Sequence, residues 1–370
     1  MPSNRPRGRQ SAPSMAHTQP QHETIDPSKY THILPSPSKG LGLFAHTLIP
    51  SSTRIISEVP ILQLREGYTA PQYLFPALNT IAKNTERYPL IKEKYDRFMS
   101  LGYMIEEEGD DDVVARVNQN GFEVPGEEGE LGCLVVCVEA ARINHSCEPN
   151  AVGNMNWLTN CFTVQVTRTI NPSEEITISY IDPLQDAPSR QTSLSRYLFR
   201  CTCPACSPTT SFPAYVSETT SNRLELSRLL TLIKSYKPSP QPPSSPLSSP
   251  TQPTPPEQHH LLQISRFIAL AELESLPYLL PLTSSSAASS FLRRDDRETA
   301  LKWKKDQYEW VALTIGRDTK EGNEITEWFI EHGFKGTYWY WWAGREEKNE
   351  VLMRCMHFWA REGGWRVLGG

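Results

Sequence analysis

The sequence predicts an α+β protein with a mostly β first half and a helical second half. Between Tyr30 and Tyr180, short β-prone runs alternate with glycine- and proline-containing turns, a pattern typical of short strands. Beyond residue 209, apolar residues recur instead at the i, i+3, i+4, i+7 spacing of packed helices. A cysteine cluster, Cys201-Thr-Cys-Pro-Ala-Cys206, lies where the first pattern gives way to the second.

Composition limits the class of protein. The 370 residues suffice for two domains, and 38% apolar content with 31 prolines suits a globular protein with sizeable disordered parts. A net charge of −5 provides no large positive field, so direct nucleic-acid binding is not expected. Without a long apolar run or an apolar N-terminal signal region, we expect no membrane association and an intracellular protein, nuclear or cytoplasmic. The eight cysteines then favour thiols or metal ligands over disulfides.

The N-terminal part combines a polar tail with the first strands. Residues 1–27 are rich in Pro, Ser, Gln and Arg and should be disordered because they offer little to bury. Strands are predicted at 32–34, 42–45 and 53–59. In Ser38-Lys-Gly-Leu-Gly-Leu-Phe-Ala45, two glycines permit a positive φ and a close backbone approach to a ligand, although such a pair alone is usually an ordinary turn.

A helical insertion is predicted at about 66–130, inside the β half. Its helical spacing is carried first by Tyr73, Leu74, Ala77, Leu78 and Ile81, and then by the run that follows Tyr88. The acidic run Glu106-Glu-Glu-Gly-Asp-Asp-Asp112 is a candidate attractant for a basic substrate, but a solvated loop is the simpler interpretation. The apolar run 131–138 follows, and we expect its Cys133 and Cys137 to be buried.

The stretch Arg142-Ile-Asn-His-Ser-Cys-Glu-Pro-Asn150 has the composition of a functional site. It combines three hydrogen-bonding side chains with one soft metal ligand and lacks apolar periodicity, while its Pro-Asn pair signals a turn. The alternative interpretation is a polar loop after a buried helix. Three more strands are predicted behind it, at 151–157, 160–167 and 175–180.

The cysteine cluster favours a metal site that lacks one ligand. A short helix at 189–199 should lead into it. Cys201, Cys203 and Cys206 place three thiols within six residues, whereas tetrahedral structural zinc takes four ligands. A redox pair at Cys203 and Cys206 is the alternative, but no βαβ pattern of thioredoxin type surrounds it.

The C-terminal part, residues 209–370, should be an all-helical domain. A Pro/Ser-rich tract at 237–257 interrupts it and is expected to be a disordered insert. Eight of the nine tryptophans lie beyond residue 300, with Tyr338-Trp-Tyr-Trp-Trp342 the densest patch. Core packing explains that patch best, and a protein partner of this domain is the alternative. The apolar sets at helical spacing are Leu226, Leu229, Leu230 and Ile233; Ile264, Phe267, Ile268 and Ala271; Tyr308, Val311, Ala312 and Ile315; and Leu352, Cys355, Met356 and Trp359.

Four segments together resemble the pattern of SET-domain protein lysine methyltransferases. The stretch 142–150 resembles their Asn-His-Ser-Cys-x-Pro-Asn signature, and 38–45 resembles their cofactor-binding Gly-x-Gly turn. Glu174-Glu-Ile-Thr-Ile-Ser-Tyr180 resembles their catalytic-tyrosine strand, and 201–206 resembles their zinc-binding post-SET tail. The four appear in the family's order, so the combination is far more specific than any one motif.

The resemblance implies a domain plan. Residues 28–183 would form a mostly-β SET fold with the helical insertion, 184–208 a zinc-binding post-SET segment, and 209–370 the helical domain. This layout is similar to that of SET and MYND domain proteins. However, residues 60–130 contain no cysteine, so the MYND zinc module is missing, and no cysteine cluster precedes the first strand. Both absences count against histone targeting.

The resemblance also implies an activity, the transfer of a methyl group from S-adenosyl-L-methionine to a protein lysine. Tyr180 would orient the substrate amine, and Tyr197 would close the lysine channel. The implied cofactor-binding residues are Lys39, Gly40, Leu41, Gly42, Asn144, His145 and Phe199. The implied ligands of a structural zinc ion are Cys147, Cys201, Cys203 and Cys206.

Two alternatives remain open at the level of sequence. The first is a catalytically inactive SET-fold protein-interaction module, against which the intact Asn144, His145 and Tyr180 argue. The second is a methyltransferase that acts on a nucleophile other than lysine.

Overall fold

The structure is a computed structural model, and it describes residues 27–37, 39–65, 83–84, 88–103, 112–126, 132–207, 211–238 and 253–332. Several predicted features lie wholly or mostly outside these ranges. They are the N-terminal tail, the helical run 73–81, the acidic run 106–112, most of the Pro/Ser-rich tract, the aromatic patch 338–342 and the helix at 352–359.

The β half consists of three small sheets of short strands, as predicted. The first has the order β1 (Thr31–Ser36), β2 (Gly40–Ala45), β10 (Glu175–Ile178), β7 (Asn144–His145). The second has the order β3 (Arg54–Glu58), β9 (Cys161–Val166), β8 (Ala151–Asn156), and the third β4 (Leu62–Arg65), β6 (Cys133–Val136), β5 (Gly121–Val124). All the pairings are antiparallel except that of β10 with β7.

The main core lies between these sheets and is built from β-branched residues. Ile55 and Ile56 of β3, Val164 and Val166 of β9 and Ile176 of β10 are fully buried in it. Such residues suit pleated surfaces because their stiff side chains pack well against neighbouring strands. The predicted burial of Cys133 and Cys137 is confirmed.

The insertion is helical only in part. It contains α1 (Pro89–Met99) and α2 (Asp112–Asn120), whose Phe98 and Val117 pack on β4 and β6. Within the same range, however, β5 pairs with β6 from Gly121 to Val124, so the insertion predicted as helical at about 66–130 also contains a strand. The physical reason is that this edge of β6 still has backbone groups to pair after β4 has taken the other edge.

After the β half, α3 (Ala187–Leu194) leads through a 3₁₀ turn at Ser195–Tyr197 to the cysteine cluster, and the helical half follows. The helices beyond the cluster are α4 (Pro213–Ser235), α5 (Pro255–Leu273), α6 (Pro281–Arg293), α7 (Arg297–Thr314) and α8 (Lys320–Glu331). They enclose their own core, which includes Leu226, Ile264 and Phe267. Helix α5 begins inside the predicted insert 237–257, because proline is well tolerated in the first turn of a helix. Among the described helices, none combines the length and the apolar character needed to cross a membrane.

The helical half packs directly against the β half. The Gln165 side chain on β9 donates to the Ala312 carbonyl of α7 at 3.0 Å, and Asn156 donates to the Asp318 carbonyl at 3.0 Å. Arg54 of β3 makes a two-pronged ion pair with the Asp318 carboxylate. Strand β9 is therefore buried along its whole length, with one face on the β core and the other toward α7.

Candidate active site

The parallel pairing of β7 with β10 joins two of the predicted motifs. Asn144 is aligned with Thr177 and His145 with Ile178, and the backbone N–H of Ser146 donates to the Ile178 carbonyl at 3.0 Å. The polar stretch 142–150 therefore lies beside the strand that leads to Tyr180.

The His145 ring links Tyr180 to the cysteine cluster. The backbone N–H of Tyr180 donates to His145 Nδ1 at 3.0 Å, and His145 Nε2 lies 3.2 Å from the Cys147 sulfur. Because Nδ1 accepts, the ring proton belongs on Nε2, which donates to sulfur. Burial lowers the pKa of His145 to about 4, so the ring is neutral at physiological pH.

The glycine turn lies against the same stretch. The Asn144 amide donates to the Leu41 carbonyl at 3.1 Å and to Glu175 Oε1 at 2.7 Å. A Cβ atom on Gly42 would lie 2.5 Å from that Glu175 oxygen and 2.7 Å from Asn144 Nδ2, so any larger residue would have to displace these two side chains. Lys39 donates to the His145 carbonyl at 3.3 Å and pairs with Glu175 at 3.6 Å. Gly40 has a φ of +77°.

Four aromatic rings form the other wall of the site. The Tyr180 ring lies 4.9 Å from that of Tyr197 and 6.4 Å from that of Phe199, and Phe199 lies 6.0 Å from His145, all measured between ring centroids. The Tyr180 hydroxyl donates to the Ile143 carbonyl. Burial raises the pKa of Tyr180 above its usual range, so the side chain remains a phenol.

The four predicted metal ligands converge in space. The sulfur atoms of Cys147, Cys201, Cys203 and Cys206 all lie within 4.8 Å of one another, and those of Cys147 and Cys206 are 3.4 Å apart. A tetrahedral site with bonds of about 2.3 Å requires sulfur separations of about 3.8 Å, so the donor set fits a metal ion with small adjustments.

The electrostatics of the cluster also suit a metal. Hydrogen bonds from the neighbouring thiols, Cys147 first, lower the pKa of Cys203 to about 6 and hold that of Cys206 well below its usual range, whereas the same network raises the pKa values of Cys147 and Cys201. Binding of a metal would displace the protons that Cys147 and Cys201 retain. Thiolates are the form that binds metal. The fully buried Arg190 donates to the Cys206 sulfur at 3.4 Å and to the Ala205 carbonyl at 2.6 Å, which places a positive charge beside the thiolates.

Several residues of this site were missed by the sequence reasoning. Asn150, expected only as part of a turn, accepts from the Thr177 N–H at 2.8 Å and donates to the Glu175 carbonyl at 2.8 Å, and so clamps the stretch to β10. The Glu58 carboxylate accepts the backbone N–H groups of residues 138–140, and burial raises its pKa to about 7. The sequence gives no signal for this role, because Glu58 simply ends a β-prone run that also contains Arg54 and Ser57.

The chain is similar to known proteins over this region. Residues 40–181 match the SET domain family model. The "Histone-lysine N-methyltransferase set5" of Schizosaccharomyces pombe is 27% identical over 176 residues, which cover 47% of this chain and 50% of that protein. The "N-lysine methyltransferase SMYD2-A" of Danio rerio is 37% identical over 97 residues, and the "N-lysine methyltransferase SMYD2" of Homo sapiens is 36% identical over 96. These two matches cover 26% and 25% of this chain and 22% of each relative, so the chain spans half or less of the relatives' own length.

Proposed function

We propose that this chain, whose residues 40–181 form a SET domain, is an S-adenosylmethionine-dependent protein lysine N-methyltransferase. The observation that carries the proposal is the convergence of the glycine turn, Asn144, His145 and Tyr180 on one site. The names of the similar proteins, which are lysine methyltransferases, support it. The intact site also favours an enzyme over a SET-fold module that only binds proteins.

The residues that would hold the cofactor come from the glycine turn, from β7 and from the aromatic segment before the cysteine cluster. Lys39, Gly40, Leu41 and Gly42 would supply backbone, Asn144 and His145 would bind from β7, and the half-buried Phe199 would stack on an aromatic ring. When bound, S-adenosylmethionine supplies an electrophilic methyl group on its sulfonium. The aromatic face of Phe199 suits the adenine ring, because base–aromatic stacking is favourable and shape-tolerant.

The chain's own part in the reaction is positioning. A lysine amine, with a reference pKa of about 10.4, must lose its proton before it can attack. Because the Tyr180 hydroxyl already donates its proton to Ile143, its lone pairs would be left to accept a hydrogen bond from the incoming amine. Holding two reactants in an attack geometry contributes on the order of 7–11 kcal/mol to lowering a barrier. The ring of Tyr197 would close the channel on the lysine stem.

A structural zinc ion is the best fit to the four-thiol cluster. Four thiolates with no open position make a closed site, which stabilises structure and takes no part in the chemistry. The ion would hold the segment that carries Tyr197 and Phe199 against the 142–150 stretch. This role explains why ligands from two distant segments, Cys147 and Cys206, meet across 59 residues of chain.

One experiment tests the function directly. The purified, metal-loaded protein is incubated with a cell lysate and isotopically labelled S-adenosylmethionine, and labelled residues are located by mass spectrometry. We expect label on lysine side chains, and calorimetric binding of the cofactor or of its demethylated product. Label on another residue type would establish the alternative nucleophile. Absence of cofactor binding by folded protein would favour the non-catalytic interaction module.

Gly42→Ala should weaken cofactor binding by about tenfold or more. The new methyl group would overlap Glu175 Oε1 and Asn144 Nδ2 and so displace the amide that joins the glycine turn to β7. Calorimetry measures the change in the dissociation constant. Gly102→Ala is the matched control, because nothing lies within 4 Å of a Cβ atom there. Unchanged affinity in Gly42→Ala would contradict the assigned role of this turn.

A further inference from the structure

Arg223, on helix α4, is a fully buried guanidinium that reaches from the helical half into the candidate active site. Its Nη1 atom donates to the Cys147 carbonyl at 2.9 Å and to the Pro183 carbonyl at 3.3 Å. The first of these bonds spans 76 residues of chain. One nitrogen with two protons therefore holds two segments of the SET domain at once.

The two carbonyls lie just beyond the end of the β7–β10 pairing. The last backbone hydrogen bond between these strands in the described residues runs from Ser146 to Ile178, and the His145 ring extends the contact through the Tyr180 N–H. Beyond that point, Tyr180 and Ile181 pack against the buried cluster that contains Cys147. Arg223 supplies the next link, since Cys147 follows His145 by two residues and Pro183 follows Tyr180 by three.

Glu274, which follows α5, is the charged partner of the guanidinium. Its Oε2 atom accepts from Arg223 Nε at 3.0 Å, and its Oε1 atom accepts from the Asn222 amide at 2.9 Å. Thr219, one turn earlier on α4, also accepts from Arg223 Nε, at 3.1 Å. The ion pair lies wholly inside the helical half, whereas the two carbonyl bonds leave it. Different substitutions can therefore remove the Glu274 ion pair and the two carbonyl bonds of Arg223 separately.

We propose that Arg223 is a positioning residue for methyl transfer, through which the helical domain sets the spacing between the His145–Cys147 segment and the Tyr180–Pro183 segment. The inference rests on the proposed function. It makes the helical domain a part of the active-site framework in addition to any role in partner binding. Residue 223 acts only through these two segments and touches no reacting atom.

Arg223→Lys is the decisive variant. Lysine keeps the positive charge for Glu274, but a single ammonium group lacks the planar fork needed to reach both carbonyls as well. We expect a folded protein with full metal content and a kcat at least tenfold lower, with the KM for the protein substrate within about twofold of wild type. Hydrogen exchange at the Ser146 and Tyr180 amides should be faster.

Two matched variants separate positioning from general stability. Glu274→Gln leaves both carbonyl acceptors of Arg223 in place but removes the charge of its partner and one of the two acceptor oxygens, so the melting temperature should fall while kcat is retained. Arg54→Lys makes the same substitution in the Arg54–Asp318 ion pair, which is another contact between the two halves. It should change neither kcat nor the hydrogen exchange rates of the Ser146 and Tyr180 amides.

The outcomes are distinguishable. If Arg223→Lys keeps kcat within twofold and protects both amides as wild type does, or if Arg54→Lys loses as much activity, the positioning role is wrong. Absence of methyl transfer by the wild-type protein would instead contradict the proposed function. The exchange of the two amides would then still decide whether Arg223 holds the two segments, because that measurement needs no activity.

Discussion

Tyr180→Phe should retain the fold and cofactor binding but lose methyl transfer by about 100-fold or more. The ring packs against Tyr197 and His145, and phenylalanine preserves those contacts. The hydroxyl, by contrast, is the proposed partner of the substrate amine, and loss of one preorganised hydrogen-bonding group typically costs about 10²–10³ in rate. Single-turnover kinetics with labelled cofactor measures the change, and calorimetry checks that the cofactor still binds.

Two tyrosine variants sharpen this test. Tyr95→Phe makes the same change on α1, outside the site, and should leave the rate unaltered. Tyr197→Phe should cost far less than Tyr180→Phe, because the Tyr197 hydroxyl is taken by Arg196 at 2.6 Å and only its ring is proposed to close the channel. A Tyr180→Phe protein that turns over at the wild-type rate would show that another group orients the amine.

Removal of the metal should abolish activity while the helical domain stays folded. The free energy of binding at closed zinc sites, about 10–16 kcal/mol in small zinc-dependent folds, is largely folding free energy. Chelation should therefore disorder the segment that carries Tyr197 and Phe199, whereas the separate core around Leu226 and Phe267 remains. Hydrogen exchange resolves the two regions, and elemental analysis should find one zinc ion per chain before chelation.

Cysteine variants locate the ligands. Cys147→Ser should weaken metal binding as strongly as Cys203→Ser, because each removes one of four thiolates. Cys161→Ser is the matched control, since this thiol is also buried but lies outside the cluster. Cys133→Ser and Cys137→Ser are further controls of the same kind, and all three should leave the metal in place. Full zinc content in Cys147→Ser, or its loss in Cys161→Ser, would place the fourth ligand elsewhere.

Much of the architecture follows from local sequence patterns. Strand and helix periodicities differ, so the β-prone runs before Tyr180 and the helical spacings after residue 209 predict the two halves of the chain. The cysteine cluster can also be recognised from the sequence, because three thiols within six residues are typical of metal sites. These features depend on residues that are close in the chain.

Other features depend on residues that meet only after folding. Strand β5 lies within the range predicted as a helical insertion. Its four residues are too few to show a strand pattern, and its pairing with the edge of β6 forms only in the folded protein. No sequence motif includes Arg190, Arg223 or Glu58, and from the sequence each would be taken for an ordinary charged residue on the surface, although all three are buried. Their burial is tolerated because carbonyls, thiols or backbone N–H groups surround them.

The order of the motifs, the division into a β half and a helical half, and the residue types available to the site can all be predicted from local patterns along the chain. Folding brings distant groups together in ways that these patterns do not predict: Cys147 with Cys206, the His145 ring with Tyr180, and Arg223 with the Cys147 and Pro183 carbonyls. The physical reason is that periodicity reports which face of an element is buried. It carries no information about which group on another element will satisfy a buried donor or charge.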